Sequence, residues 1–192
     1  MQGMTASAAS SLDRRLAEER FRHLYAAHVR EVLAYVLRRT ADAEDAADAV
    51  AETFLVAWRR LPEVPAGEEA RAWLYGVARR TLANQRRGER RRHQLAERLG
   101  ADLAIVVESS AAEDDDERLQ FALESLPPDD REILRLSAWE EMSPSQAARV
   151  LGISAIAARS RLHRARRRLA RALAEWRPEP SPTTNLELKE ER

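Results

Sequence analysis

Between Ser143 and Leu169 the chain sets out two helix boundaries in quick succession, and no other stretch restricts its fold so strongly. Ser143 is an N-cap residue, Pro144 suits a first helical turn, and Gln146 stands where the partner of a capping box belongs. Gly152 can take the left-handed conformation that closes a helix, and Ser154 can cap the next one. Beyond it Ala158, Leu162, Ala165, Leu169 and Ala172 recur at the helical period, so they line one face. Arg161, Arg164, Arg168 and Arg171 flank that face, free to meet phosphates and base edges. A short helix, a glycine turn and an arginine-rich second helix predict a helix-turn-helix, the plan by which a helix reads DNA. Such corners also occur in all-α proteins that never touch DNA, and the remaining residues have to decide.

Those residues repeat the helical period and nowhere alternate with period two over a useful length, which predicts an all-α protein. A first helix is expected from about Leu12 to Arg39, with Phe21, Leu24, Tyr25, His28, Val32 and Val36 on one side. A second, from about Ala43 to Leu61, buries Ala46, Val50, Thr53, Phe54, Ala57, Trp58 and Leu61. Pro62, Pro65 and Gly67 break the chain. A third helix starts near Glu68 and carries Trp73, Leu74, Val77, Ala78 and Leu82 before running into arginines. From about Gly100 to Asp116 the stripe gives way to small and acidic residues, with room for one helical turn at Leu103–Val107. Helices near Glu117–Ser125 and Asp129–Trp139, parted by Pro127-Pro128, then lead into the helix-turn-helix. The expected organisation is two small helical domains, the first of three to four helices over 15–97 and the second over 117–177. A flexible acidic linker over 98–116 joins them, between a disordered N-terminus at 1–14 and a disordered tail at 178–192.

Net charge is formally zero, with 32 basic and 32 acidic residues, which at first argues against a nucleic-acid partner. The balance hides segregation. Arg79, Arg80, Arg86, Arg87, Arg90, Arg91, Arg92 and Arg98 form one basic block, the helix after Ser154 forms another, and Glu113–Glu117 between them is acidic. Two cationic patches suit two contacts with one polyanion. There is no cysteine, hence neither a disulfide framework nor a thiolate site. His23, His28, His93 and His163 are scattered, without metal-ligand spacing, and there is no glycine-rich phosphate loop. Ser143 and Ser154 read as caps rather than nucleophiles. Neither a metal, a cofactor, a small-molecule substrate nor an enzymatic activity is expected. The N-terminus lacks the features of a signal peptide, and no apolar run approaches the roughly 18–20 residues that span a membrane, so a soluble cytoplasmic protein is expected.

Three segments carry a resemblance: Ala46-Ala-Asp-Ala-Val-Ala-Glu-Thr-Phe-Leu-Val-Ala-Trp58, Ala72-Trp-Leu-Tyr-Gly-Val-Ala-Arg-Arg-Thr-Leu-Ala-Asn84, and Leu126-Pro-Pro-Asp-Asp-Arg-Glu-Ile-Leu-Arg-Leu136 with Ser160-Arg-Leu-His-Arg-Ala-Arg166. In this order they resemble a bacterial sigma factor of the extracytoplasmic-function class, reduced to its second and fourth conserved regions, over roughly residues 20–95 and 117–173. The resemblance implies an alternative sigma factor that binds core RNA polymerase and directs initiation through the −10 and −35 promoter elements. It assigns polymerase docking to the second helix, where Asp45, Asp48 and Glu52 form a carboxylate edge beside Phe54 and Trp58. It assigns the −10 element to the third helix and its extension, with Arg79, Arg80, Asn84, Arg86, Arg87 and Arg90. Asn84 is the side chain there able to pair bidentately with adenine, and Trp73 and Tyr75 are candidates for stacking on bases, Trp73 reading better as core. The −35 element falls to Ser154, Arg159, Arg161, His163, Arg164 and Arg168. The family commonly has glutamine where this chain has Ala51, asparagine at Arg80, aspartate at Asn84, and Gly-Thr-Val where Ile156-Ala157-Ala158 stand. An anti-sigma factor is also implied as a partner. Two other readings remain open: a stand-alone dimeric helix-turn-helix regulator, with the first domain as dimerisation or sensor module, and a partner-binding adaptor with solvated arginines.

Overall fold

The computed structural model describes residues 3–98 and 114–176, with side chains over 13–92 and 118–176. Among the described residues every regular element is a helix: α1 (Gly3–Leu37), α2 (Ala43–Arg59), α3 (Glu69–Arg98), α4 (Asp114–Glu124), α5 (Pro128–Ala138), α6 (Pro144–Leu151) and α7 (Ala155–Glu175), with a short 3-10 turn at Leu61–Glu63. The all-α expectation holds. Two boundaries differ from those read in the sequence. Helix α1 starts at Gly3, so the segment 1–14 expected to be disordered is helical from its third residue. Its alanines, Leu12 and two arginines are good helix formers, no proline interrupts them, and they extend a helix whose other half is packed. Helix α4 begins at Asp114, ahead of the expected Glu117, because a run of acids suits the positive end of a helix. The rest of the acidic linker (99–113), with the helical turn considered at 103–107, and the tail 178–192 lie outside the described residues.

Helices α1, α2 and α3 pack on one another around Val32, Val36, Ala46, Ala49, Phe54, Ala57, Leu74, Ala78 and Leu82. Asp42 caps α2 by accepting from the Glu44 amide at 3.0 Å. The buried Thr53 hydroxyl donates to the Ala49 carbonyl at 2.7 Å, so its polar atom enters the core already satisfied. Helices α5, α6 and α7 form the second group, with α4 laid on α7, around Ile133, Leu136, Ala147, Leu151, Ala158, Leu162 and Ala165.

The helix-turn-helix forms as its sequence prescribes. Ser143 and Gln146 make the reciprocal capping box, Gly152 turns the chain at φ 68°, and the Ser154 hydroxyl accepts from the Ala157 amide at 3.1 Å. The turn after α5 is less ordinary. Glu141 takes φ 51°, a left-handed conformation that costs a side chain about 1–2 kcal/mol. The Met142 amide then bonds back to the Leu136 carbonyl at 3.0 Å, and Glu140 is turned inward to 4 % exposure.

Contacts between α3 and α6 join the two groups into one body. Gly76 faces α6 there: a Cβ on it would lie 3.7 Å from both the Arg149 carbonyl and the Val150 Cα. A Cβ there would make ordinary van der Waals contact, and only a side chain reaching further would press on the α6 backbone.

Candidate nucleic-acid interface

Helix α7 presents its small and apolar stripe inward, with Ala158, Leu162 and Ala165 buried and Leu169 and Ala172 packed against the core. The 3.6 period then places Arg159, His163, Arg164 and Arg168 outward, all exposed. Ser154 is exposed at the first turn beside Ile156, which is 73 % exposed. The arginines are not all free, as the sequence suggested. Arg161, half-buried, donates to Asp129 Oδ2 at 3.1 Å, Arg164 to the Ser160 hydroxyl at 3.2 Å, and Arg168 pairs with Asp130. Asp129 and Asp130 stand in the first turn of α5, so an acidic helix start lies against the basic face of α7.

Along α3, Arg80, Asn84, Arg86, Arg87 and Arg90 are exposed and Arg79 is half-buried. Asn84 accepts a hydrogen bond from Arg87, and Arg86 donates to the Arg39 carbonyl at 2.5 Å. Arg79 reaches the other oxygen of Asp129 at 3.1 Å. One carboxylate thus holds an arginine from each candidate DNA-binding helix. Tyr75 is 2 % exposed and stacks on Tyr35 with ring centroids 4.4 Å apart, which removes it from the candidates for base stacking. Trp73 packs, partly buried, against the core and lies under Arg60.

On α2 the carboxylates Asp48 and Glu52 are exposed and Asp45 half-exposed. Asp48, Glu52 and Leu55 share one open groove with Arg80, Asn84 and Gln85 of α3. Phe54 does not belong to that surface. It is 4 % exposed and packed edge-on against Tyr25 at 4.7 Å, so it supports the helix from inside instead of offering a contact. The i+4 spacing from Val50 already places it on the apolar stripe, whereas Trp58, 39 % exposed, stands at the stripe's edge against Phe21.

Sequence reasoning missed a polar cluster where the two helical groups meet. Arg39, with its side chain 4 % exposed, donates from Nε to Glu132 Oε2 at 3.0 Å and from Nη1 to Glu140 Oε1 at 3.2 Å. Arg38 reaches the second Glu140 oxygen at 2.6 Å. Tyr35 donates to Glu132 at 2.9 Å, and the Arg39 guanidinium lies 3.6 Å over its ring. Burial holds the Tyr35 phenol well above its ordinary pKa, and the neighbouring Glu132 carboxylate adds to the effect. Burial works against the charge on Arg39, but Tyr35, Glu132 and Glu140 more than offset it and raise its pKa. The Arg39 Nη2 is buried without a protein partner, so the cluster is not fully satisfied. The one signal in the sequence was Gly76, an isolated glycine within a helical stripe, which marks close approach of another element.

Among the described residues no group of His, Cys, Asp or Glu side chains is arranged to hold a metal ion, and no helix is long and apolar enough to cross a membrane. What the fold does present is a pair of arginine-faced helices on two helical groups, the second a helix-turn-helix, which defines the class as a two-part, all-helical DNA-binding factor. Comparison with known proteins narrows this. Residues 24–92 match the family model for sigma-70 region 2, and residues 116–169 that for sigma-70 region 4. The ECF RNA polymerase sigma factor SigL of Mycobacterium tuberculosis is 35 % identical over 161 residues, covering 80 % of this chain and 89 % of that protein. The sigma factor CarQ of Myxococcus xanthus is 32 % identical over 164 residues, covering 83 % and 92 %. Among solved structures, the sigma factor RpoE of Bartonella quintana, bound to the anti-sigma factor NepR, superposes with a TM-score of 0.62 at 26 % identity, over 82 % of this chain and 98 % of that one. CnrH in complex with the cytosolic domain of CnrY gives 0.55 at 28 % identity, over 84 % and 97 %. The chain belongs to the ECF class of sigma-70 RNA polymerase sigma factors.

Proposed function

We propose that this chain acts in the cytoplasm as a dissociable initiation subunit, which docks on core RNA polymerase and directs it to promoters through two DNA contacts. The family membership and the two arginine-faced helices support this reading, and the observation that carries it is the outward arginine face of α7 above a packed Ala158–Leu162–Ala165 stripe. Arg159, Arg161, His163, Arg164 and Arg168, with Ser154 at the first turn, are assigned to the −35 element. Arg79, Arg80, Asn84, Arg86, Arg87 and Arg90 are assigned to the −10 element. Polymerase docking falls to Asp45, Asp48, Glu52 and the exposed edge of Trp58, with Phe54 as their internal support. No catalytic step is assigned to the factor itself. An anti-sigma factor is the expected antagonist, as in the RpoE–NepR complex.

Run-off transcription with purified core polymerase on a promoter library tests the reading. Specific starts should appear only when the protein is added. Footprints with two-fold symmetry on duplex DNA, without polymerase and without such starts, would instead establish a dimeric regulator. Within the first outcome, Arg161→Ala should weaken promoter binding by about 1–3 kcal/mol if its guanidinium meets a base, measured as affinity of the holoenzyme across promoter variants. Unchanged affinity and promoter choice would remove Arg161 from the site.

A further inference from the structure

The first turn of α7 offers a surface unlike the rest of its outward face. Ile156 is 73 % exposed, more than any other large apolar side chain among the described residues. It has not strayed from the packed stripe. Ala158, Leu162 and Ala165 are buried on the far side of the helix, and Ile156 points roughly 150° away from them at about 100° per residue. Its neighbours on the outward face are Arg159, Ser160 and His163 at i+3, i+4 and i+7, all exposed. An apolar side chain thus leads a polar, arginine-bearing face into solvent.

The chemistry of that turn narrows what it can meet. In a helix-turn-helix the N-terminal residues of the second helix reach base edges in the major groove. Here they are Ser154, Ala155, Ile156 and Ala157. The Ser154 oxygen is engaged as the cap, accepting from the Ala157 amide at 3.1 Å, and the other three side chains carry no donor or acceptor. Among the features that base pairs present in the major groove one is apolar, the C5 methyl group of thymine. Ile156 suits it. A β-branched side chain in a helix is held close to one χ1 rotamer, so little freedom is lost on contact. Packing it on a methyl group also removes apolar surface from water on both sides. The arginines behind it answer to phosphates and to guanine, and none of them distinguishes a methyl group.

We propose, resting on the sigma-factor reading above, that Ile156 is a specificity-determining residue of the −35 contact, which reads a thymine by packing on its C5 methyl group in the major groove. Promoters used by this factor therefore carry an A·T pair where the first turn of α7 meets the duplex.

Deoxyuridine differs from thymidine by that methyl group alone and pairs with adenine in the same way, which gives a direct test. The promoter that wild-type holoenzyme uses best in the run-off library is resynthesised with each thymine of its −35 element, on either strand, replaced singly by deoxyuridine. At one position the replacement should weaken wild-type holoenzyme about fourfold, the size of one buried methyl group, read as its half-saturating concentration. Holoenzyme carrying Ile156→Ala, a change at an exposed position that leaves the packed stripe intact, should bind thymine and deoxyuridine equally there. The assignment is overturned when no thymine of the element responds. It is overturned equally when the response survives in Ile156→Ala, which would give the methyl group to a neighbour such as Ala157. A third contrary result is that Ile156→Ala weakens every template alike, one with a substituted −35 element included, which would make Ile156 a contact with polymerase protein. Absence of promoter-specific starts from the wild-type protein would instead bring down the sigma-factor reading, and the inference with it.

Discussion

The core of α1–α3 and the junction, or seam, between the two helical groups are both buried, yet the junction adds a cluster of charges to its apolar contacts. The core closes on Val32, Ala49, Phe54 and Leu74, side chains with nothing to gain from water. The junction packs Val150 of α6 over Gly76 of α3 and beside them closes on Arg39 from the end of α1, Glu132 of α5 and Glu140, groups that water also solvates well. Burying apolar area is favourable without further conditions, whereas a buried ion pair offsets desolvation by Coulomb attraction and nets little. The difference teaches which contact depends on paired charge. The core is held by apolar burial alone, and the junction by apolar contact with a buried charge cluster beside it.

Four measurements sharpen or break this contrast. Phe54→Ala should have the largest effect, removing about 3–5 kcal/mol from the first helical group in denaturant unfolding. Arg39→Ala should behave differently, although its side chain is as deeply buried. In a body unable to open it would leave Glu132 with only the Tyr35 hydroxyl and Glu140 with only Arg38, at a cost of about 3–5 kcal/mol. Opening hydrates those carboxylates, so the unfolding loss should stay near 1–2 kcal/mol while the hydrodynamic radius grows. A loss equal to that of Phe54→Ala, with no expansion, would make the seam a core after all. Ser154→Ala should remove about 1 kcal/mol from the second group through the lost cap, and by the same amount whether or not the seam has been opened by Arg39→Ala. The smallest effect is alkaline. Burial raises the Tyr35 pKa, so the packed state binds the phenolic proton more tightly than a chain in which Tyr35 is exposed. The stability this contributes is complete below the ordinary phenol value of about 10 and is lost as pH rises through the raised one. Tyr35→Phe should therefore abolish a destabilisation of less than about 1 kcal/mol at pH ~10.5, read by comparing unfolding of the two proteins.

How legible all this was in the sequence follows the same division. Periodicity exposed the helices and their buried faces, since an apolar stripe is a local record of what a helix packs against; the caps at Ser143, Gly152 and Ser154 are equally local. The arginine faces of α3 and α7 were visible for the same reason. What periodicity could not show is pairing across about a hundred residues. Arg39 and Glu140 look like ordinary solvated charges until the fold brings them within 3.2 Å. Phe54 was assigned to a docking surface because the segment's resemblance was read as a whole, while its own position on the stripe already placed it inside. Asp129 stands within the resemblance to the −35 domain, and only the fold, which packs α5 on α7 and brings the Arg79 side chain across from α3, gives its carboxylate two arginines.

Glu141 gives the seam its set-point. A left-handed residue after a helix is usually glycine, and glutamate there holds the turn about 1 kcal/mol or more above what the backbone could reach. That turn delivers Glu140 to Arg38 and Arg39, so the strain at Glu141 is set against the ion pairs its neighbour makes. At roughly a factor of five in population for each 1 kcal/mol, such a residue bears on how firmly the two helical groups hold together.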